Sequence, residues 1–121
     1  MIDNPLVMAY MGDTIYEQYI REFLIRSGLS KIGELQQRSL DYVSARSQRR
    51  HLERLFDANF LTDEELEYVK WGRNAKGAKT KNADIVTYRL ATGLETLIGK
   101  LYFQDKKERI KEIMEFIIGE E

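Results

Sequence analysis

Few residues in this chain could carry chemistry, and two carboxylates stand out among them. His51 is the only histidine and there is no cysteine, which excludes a His-rich metal centre and a Cys-His nucleophile pair. A serine nucleophile would have only His51 as its base. No glycine pattern follows a strand, as phosphate-cradling loops of nucleotide-binding proteins require. Carboxylates remain, and carboxylates beside basic residues suit a hard cation working on phosphates. Asp13 follows Gly12 in the middle of a helical stretch, where aspartate is a poor helix former with no cap to make. Its helical neighbours Ala9, Tyr10, Tyr16 and Glu17 form a largely apolar stripe. Glu95 lies in the most apolar stretch, with Ala91, Thr92, Ile98 and Gly99 around it. An ionised acid in such surroundings costs free energy unless it is paired or holds a metal. Small neighbours leave room for a cation and its waters. Arg21 and Arg89 are available as ion-pair partners, and structural ion pairs are the commoner arrangement. Spacing does not choose between them.

The elements that must position these acids read as helices throughout. The only proline, Pro5, follows Asn4, the pairing expected of an N-cap and a first helical turn. Apolar residues from Leu6 to Leu24 then recur at helical spacing, and Ser27-Gly28 closes the helix at about Ile25. A second helix is expected from Ile32 to about Val43, and a third from Ser44, an N-cap candidate. Thr62-Asp63-Glu64-Glu65 matches a capping box and opens a fourth helix ending near Gly72. The stretch from Arg73 to Lys81 is polar, basic and aperiodic, and reads as a surface loop. Asn82 is expected to cap the longest helix, reaching about Phe103 with Ile85 and Val86 in its apolar interior. A last amphipathic helix carries Ile110, Ile113, Met114, Ile117 and Ile118. No stretch alternates as a strand would. The fold class expected is all-α, in one domain of 121 residues with a single core.

A formal net charge of -1 does not advertise a nucleic-acid binder, but binding answers to local fields rather than totals. Acids gather at Asp63–Glu67 and from Asp105 to the end. Bases gather at Arg46, Arg49, Arg50 and Arg54 and again from Lys70 to Lys81. No apolar run is long enough for a bilayer, and the start lacks the blocks of a signal peptide. Together with the absence of cysteine, this leads us to expect a cytoplasmic protein with no membrane partner.

Two segments resemble the signatures of the ribonuclease III catalytic domain, in which a Leu-Gly-Asp helix faces a Glu-Ala-Leu-Ile-Gly helix. They are Ala9-Tyr10-Met11-Gly12-Asp13-Thr14-Ile15-Tyr16-Glu17 and Thr92-Gly93-Leu94-Glu95-Thr96-Leu97-Ile98-Gly99. Between them, Tyr42-Val43-Ser44-Ala45-Arg46-Ser47-Gln48 and Gly72-Arg73-Asn74-Ala75-Lys76 are similar to the Mini-III branch of that family. One segment alone would be weak; four in the right order are specific, and they span almost the whole chain.

The resemblance implies a helical bundle forming a homodimer, and a magnesium-dependent endonuclease for double-stranded RNA. Asp13 and Glu95 fall on two of the family's metal-binding acids and carry over as catalytic residues and Mg2+ ligands. Larger relatives have two more acids, where this chain has Ala9 and Thr92; the Mini-III branch departs similarly. The family's products carry 5′ phosphates and 3′ hydroxyls, and two sites in a symmetric dimer leave a short 3′ overhang. The implied substrate is the precursor of 23S ribosomal RNA, bound by a ribosomal protein. No separate double-stranded RNA-binding domain is expected, so the catalytic unit must grip RNA itself. Duplex RNA is read through shape, 2′-hydroxyls and phosphates. Candidate contacts are Arg73, Asn74, Lys76, Lys79 and Lys81 of the basic loop, with Arg46, Arg49 and Arg50 as a second group for which a solvated face is an equal explanation. Trp71 is expected to pack at a helix end, and Tyr88 and Arg89 are candidates to orient Glu95. The competing readings are a non-catalytic RNA-binding or ribosome-assembly module, and a helical protein-interaction domain.

Overall fold

The computed structural model describes residues 3–76 and 84–119, and the described residues form six helices with no strand. They are α1 (Pro5–Arg26), α2 (Ile32–Val43), α3 (Ala45–Asp57), α4 (Asp63–Arg73), α5 (Ile85–Phe103) and α6 (Lys107–Ile118). The expected all-α class is the observed one. Most boundaries follow from local chemistry. Asn4 caps α1 by accepting from the Leu6 amide at 2.9 Å, just before Pro5. Ser44 caps α3, and Thr62 and Glu65 exchange both bonds of the capping box at α4.

Helices α3 and α5 stop in the same manner. Asn59 and Asp105 adopt positive φ, a conformation that short polar side chains tolerate better than most. The amides of Phe60 and Lys106 then reach back to the carbonyls of Leu55 and Leu101 at 3.0 and 2.9 Å, closing each helix with a six-to-one bond. Three sequence expectations are corrected. The longest helix is α1, with 22 residues, against 19 in α5. The N-cap of α5 is Asp84, which accepts from the amides of Val86 and Thr87; Asn82 lies outside the described residues. Ile85 and Val86 are exposed rather than interior, since on the first turn of α5 it is Asp84 and Thr87 that face α3, through Arg49.

Helix α5 is the axis on which the others pack. It touches α1, α3, α4 and α6, and nearly every residue from Ala91 to Leu101 is buried, Glu95 and Lys100 being partly exposed. Its Leu94, Leu97, Ile98 and Leu101 meet Tyr16, Ile20 and Leu24 of α1, Leu52 and Leu55 of α3, and Ile110 and Ile113 of α6 in one core. Each such side chain contributes roughly 1.5–3 kcal/mol on burial. By contrast, α2 buries no residue fully and lies at the edge against α1 and α3. No helix among the described residues is long and apolar enough to cross a membrane.

Candidate metal centre

Helices α1 and α5 approach backbone to backbone. A Cβ on Gly12 would run into the carbonyl group of Glu95, and one on Gly99 into the carbonyl of Met8. No other residue type fits this pair of positions without moving the helices apart. The consequence is chemical as well as steric: Asp13, next to Gly12, is carried to the turn of α5 that presents Glu95. The two carboxyl groups come within hydrogen-bonding range of each other.

Their surroundings differ. Asp13 is exposed and Glu95 is half-buried, so the apolar stripe expected around Asp13 opens to solvent on that side. Burial raises the Glu95 carboxyl first, and the adjacent Asp13 raises it further through both a shared hydrogen bond and its charge. Glu17, one turn beyond Asp13, adds a smaller push in the same direction, while the Gln48 amide works against it. The net result is a carboxyl pushed up to about 8. A carboxyl crowded by a second one in a partly dry site resists giving up its proton. None of these acting groups is a cation. Arg21, a possible partner on sequence grounds, pairs instead with Glu17 at 3.6 Å.

The donor set fits a hard divalent ion. Among the described residues no group of three His, Cys, Asp or Glu side chains could enclose a metal. Two carboxylates, one of them open to solvent, are what Mg2+ takes when it keeps most of its waters. His51 is fully buried, stacked on Tyr42 at 5.8 Å and joined to Arg54 through Nδ1 at 3.1 Å. It belongs to the packing of α3.

Two residues at the site were not assigned a role on sequence grounds. Gln48 of α3 donates from Nε2 to Glu95 Oε2 at 3.4 Å and is buried. Glu17 could have been suspected from its spacing, since residues four apart share a helix face. Gln48 gives no local signal, because its contact with Glu95 depends on the docking of α3 against α5.

The expected RNA-binding residues separate into groups. Arg73 and Asn74 end α4, both exposed and joined by a 3.4 Å bond from Arg73 Nε, and Lys76 is exposed just beyond. Gly72, immediately before them, packs against Thr96 and Gly93, on the turn of α5 that carries Glu95. Lys79 and Lys81 lie outside the described residues. Arg46 and Arg50 are exposed on α3. Arg49 is engaged with Thr87 at 2.9 Å, Asp84 at 3.3 Å and Glu53 at 3.4 Å, so it ties α3 to the start of α5, and any RNA contact would compete with those bonds. Trp71 packs half-buried at the end of α4, with Lys100 over its ring at 5.6 Å.

Comparison with known proteins agrees with this fold. The ribonuclease III domain matches residues 6–106. A Mini-ribonuclease 3 of Staphylococcus aureus is 44% identical over 95% of this chain and 87% of its own length. One of Brevibacillus brevis is 48% identical over 94% of this chain and 84% of its own. The crystal structure of protein FN1578 from Fusobacterium nucleatum superposes with a TM-score of 0.86 at 28% identity, covering 97% of this chain and 94% of that one. A helical unit that brings two acids together across a glycine contact, and that aligns with these proteins over nearly its whole length, is an endoribonuclease: the chain belongs to the Mini-ribonuclease 3 branch of the ribonuclease III family, whose members act on double-stranded RNA.

Proposed function

We propose that Asp13 and Glu95 are the catalytic carboxylates of a magnesium-dependent cleavage of double-stranded RNA, and that the substrate is the 23S ribosomal RNA precursor. The observation that carries the reading is the meeting of the two acids, with no cation among the groups acting on Glu95. Bound Mg2+ would supply charge stabilisation at the scissile phosphate and lower the pKa of a water. The protein's part is to hold the two carboxylates at a fixed separation, by way of the Gly12 contact, and to release the proton that Glu95 retains when the ion binds. The solvent-facing side of Asp13 leaves room for a phosphodiester to approach.

The helical unit offers basic residues to the duplex. Arg73, Lys76, Arg46 and Arg50 offer exposed charge, and Asn74 offers an amide beside Arg73. Two copies related by a two-fold axis would cut both strands, and exposed apolar residues such as Tyr10, 83% accessible next to the site, favour a partner subunit. The cytoplasm and a precursor carrying a ribosomal protein are the setting this reading requires.

The test compares duplex RNA carrying the precursor stem with an unrelated duplex, with and without Mg2+. Asp13→Asn and Glu95→Gln should each lower the cleavage rate about 10²-fold or more while RNA binding persists. Normal cutting by both variants would end the proposal, and equal cutting of both duplexes would remove the ribosomal substrate from it. Alanine at Arg73 or Lys76 should weaken binding across all sequences and reduce the salt slope by about one each, measured by titration at several salt concentrations.

A further inference from the structure

We propose that Gln48 is a positioning residue for the metal site, holding one oxygen of Glu95 so that the other faces the cation beside Asp13. The inference rests on the reading of Asp13 and Glu95 as cation ligands and adds a residue from a third helix.

Gln48 is 2% exposed, and a buried amide is retained where its polar atoms find partners. The partner here is Glu95 Oε2, 3.4 Å from Nε2. Nε2 is the atom that faces the carboxyl, the orientation a metal-bound, ionised Glu95 requires because both of its oxygens are then acceptors. At this length the contact is weaker than an ordinary N–H···O bond of about 2.7–3.2 Å.

The backbone beneath Gln48 is fixed independently of the site. Its amide bonds to the Ser44 carbonyl at 2.9 Å. Ser44 also caps α3 by accepting from the Ser47 amide at 3.2 Å, and Ser47 Oγ reaches the Leu40 carbonyl of α2 at 3.3 Å. Tyr16 of α1 donates to the Tyr42 carbonyl at 2.7 Å, which holds the end of α2 against α1. The segment from Tyr42 to Gln48 thus seats the first turn of α3 beside the acid pair.

The type of donor matters. A lysine or arginine at this position would orient Glu95 equally well, but its charge would neutralise the pair and compete with a metal. A neutral amide orients the carboxylate and leaves its charge for the ion. Groups that hydrogen-bond to metal ligands in this way commonly alter metal affinity by about 10–100-fold when removed.

The experiment is titration of RNA-free protein with Mg2+ and Mn2+ by calorimetry, comparing wild type with Gln48→Met and Gln48→Leu. Methionine keeps the length and flexibility of the side chain and removes the donor. Metal affinity is expected to fall about 10–100-fold, and the cleavage defect should shrink as metal is raised to saturation. Unchanged metal affinity in folded variants would overturn the inference. Should both variants fail to fold, the side-chain NH2 resonances of Gln48 in the wild-type protein decide: they should move as Mg2+ is added, and their indifference at saturation overturns it. Failure of the parent reading looks different, since wild-type protein would then take up no metal, and Asp13→Asn and Glu95→Gln would cut normally.

Discussion

Two glutamates with little exposure, Glu65 and Glu95, show how the same side chain can be met by opposite surroundings. Glu65, at the third position of α4, is 5% exposed. Burial acts to raise its carboxyl, but hydrogen bonds from Arg109 and the Thr62 amide outweigh that, and the net shift is downward. Arg109 grips both carboxylate oxygens at 2.8 Å, donates to the Phe60 carbonyl and lies over the Phe60 ring. Glu95 is met instead by another acid and a neutral amide, and its carboxyl moves upward. A buried acid given a cation of its own is satisfied and inert. One denied a cation is, in the function proposed above, where an ion from solution binds.

The largest expected effect separates the two by activity. Glu95→Gln should remove cleavage, whereas Glu65→Gln should leave the rate per folded molecule near that of wild type, with duplex RNA and Mg2+ as the assay. Comparable losses in both would dissolve the contrast.

Next in size is Arg109→Ala, which strands a buried carboxylate. A loss of about 3 kcal/mol in urea unfolding is expected, since the pair also carries the α4 capping box and the bond to Phe60. Gly12→Ala should follow, costing about 1–3 kcal/mol through forced separation of α1 and α5. Because the same movement parts Asp13 from Glu95, cleavage should fall further than stability alone predicts, and weaker metal binding would sharpen the point.

The smallest effect is in pH dependence, where the two acids have opposite signs. Glu95 goes from about 8 in the folded chain to its ordinary 4.5 on unfolding, so the native state holds the extra proton across that window. Stability of metal-free protein should therefore fall as pH rises through it. Glu95→Gln should flatten this slope, and Mg2+ should oppose it. Glu65, shifted below 4.5, stabilises the fold above that value and gives up its share as pH falls. Urea unfolding across the two ranges reads both signs.

Much of this was legible before any packing was known, where the controlling interactions are local. Asn4-Pro5, Ser44 and the Thr62–Glu65 box mark helix starts because caps join residues two or three apart. The start of α5 was misplaced at Asn82 because Asp84 offers the same chemistry two residues on. Arg49 looked like one more surface base, and only the placement of α3 shows it bound to Asp84 and Thr87. Asp13 was expected on a largely apolar stripe, whereas its side chain is exposed.

By itself, then, the sequence determined the helices, their caps, the apolar faces and the family resemblance that singled out Asp13 and Glu95, because periodicity and capping act over a few residues. Tertiary structure decided that these two acids meet, that Gln48 rather than Tyr88 or Arg89 reaches Glu95 Oε2, and that Glu65 received an arginine while Glu95 did not. Those outcomes depend on how closely helices distant in the chain can pack, which here turns on the missing side chains of Gly12 and Gly99.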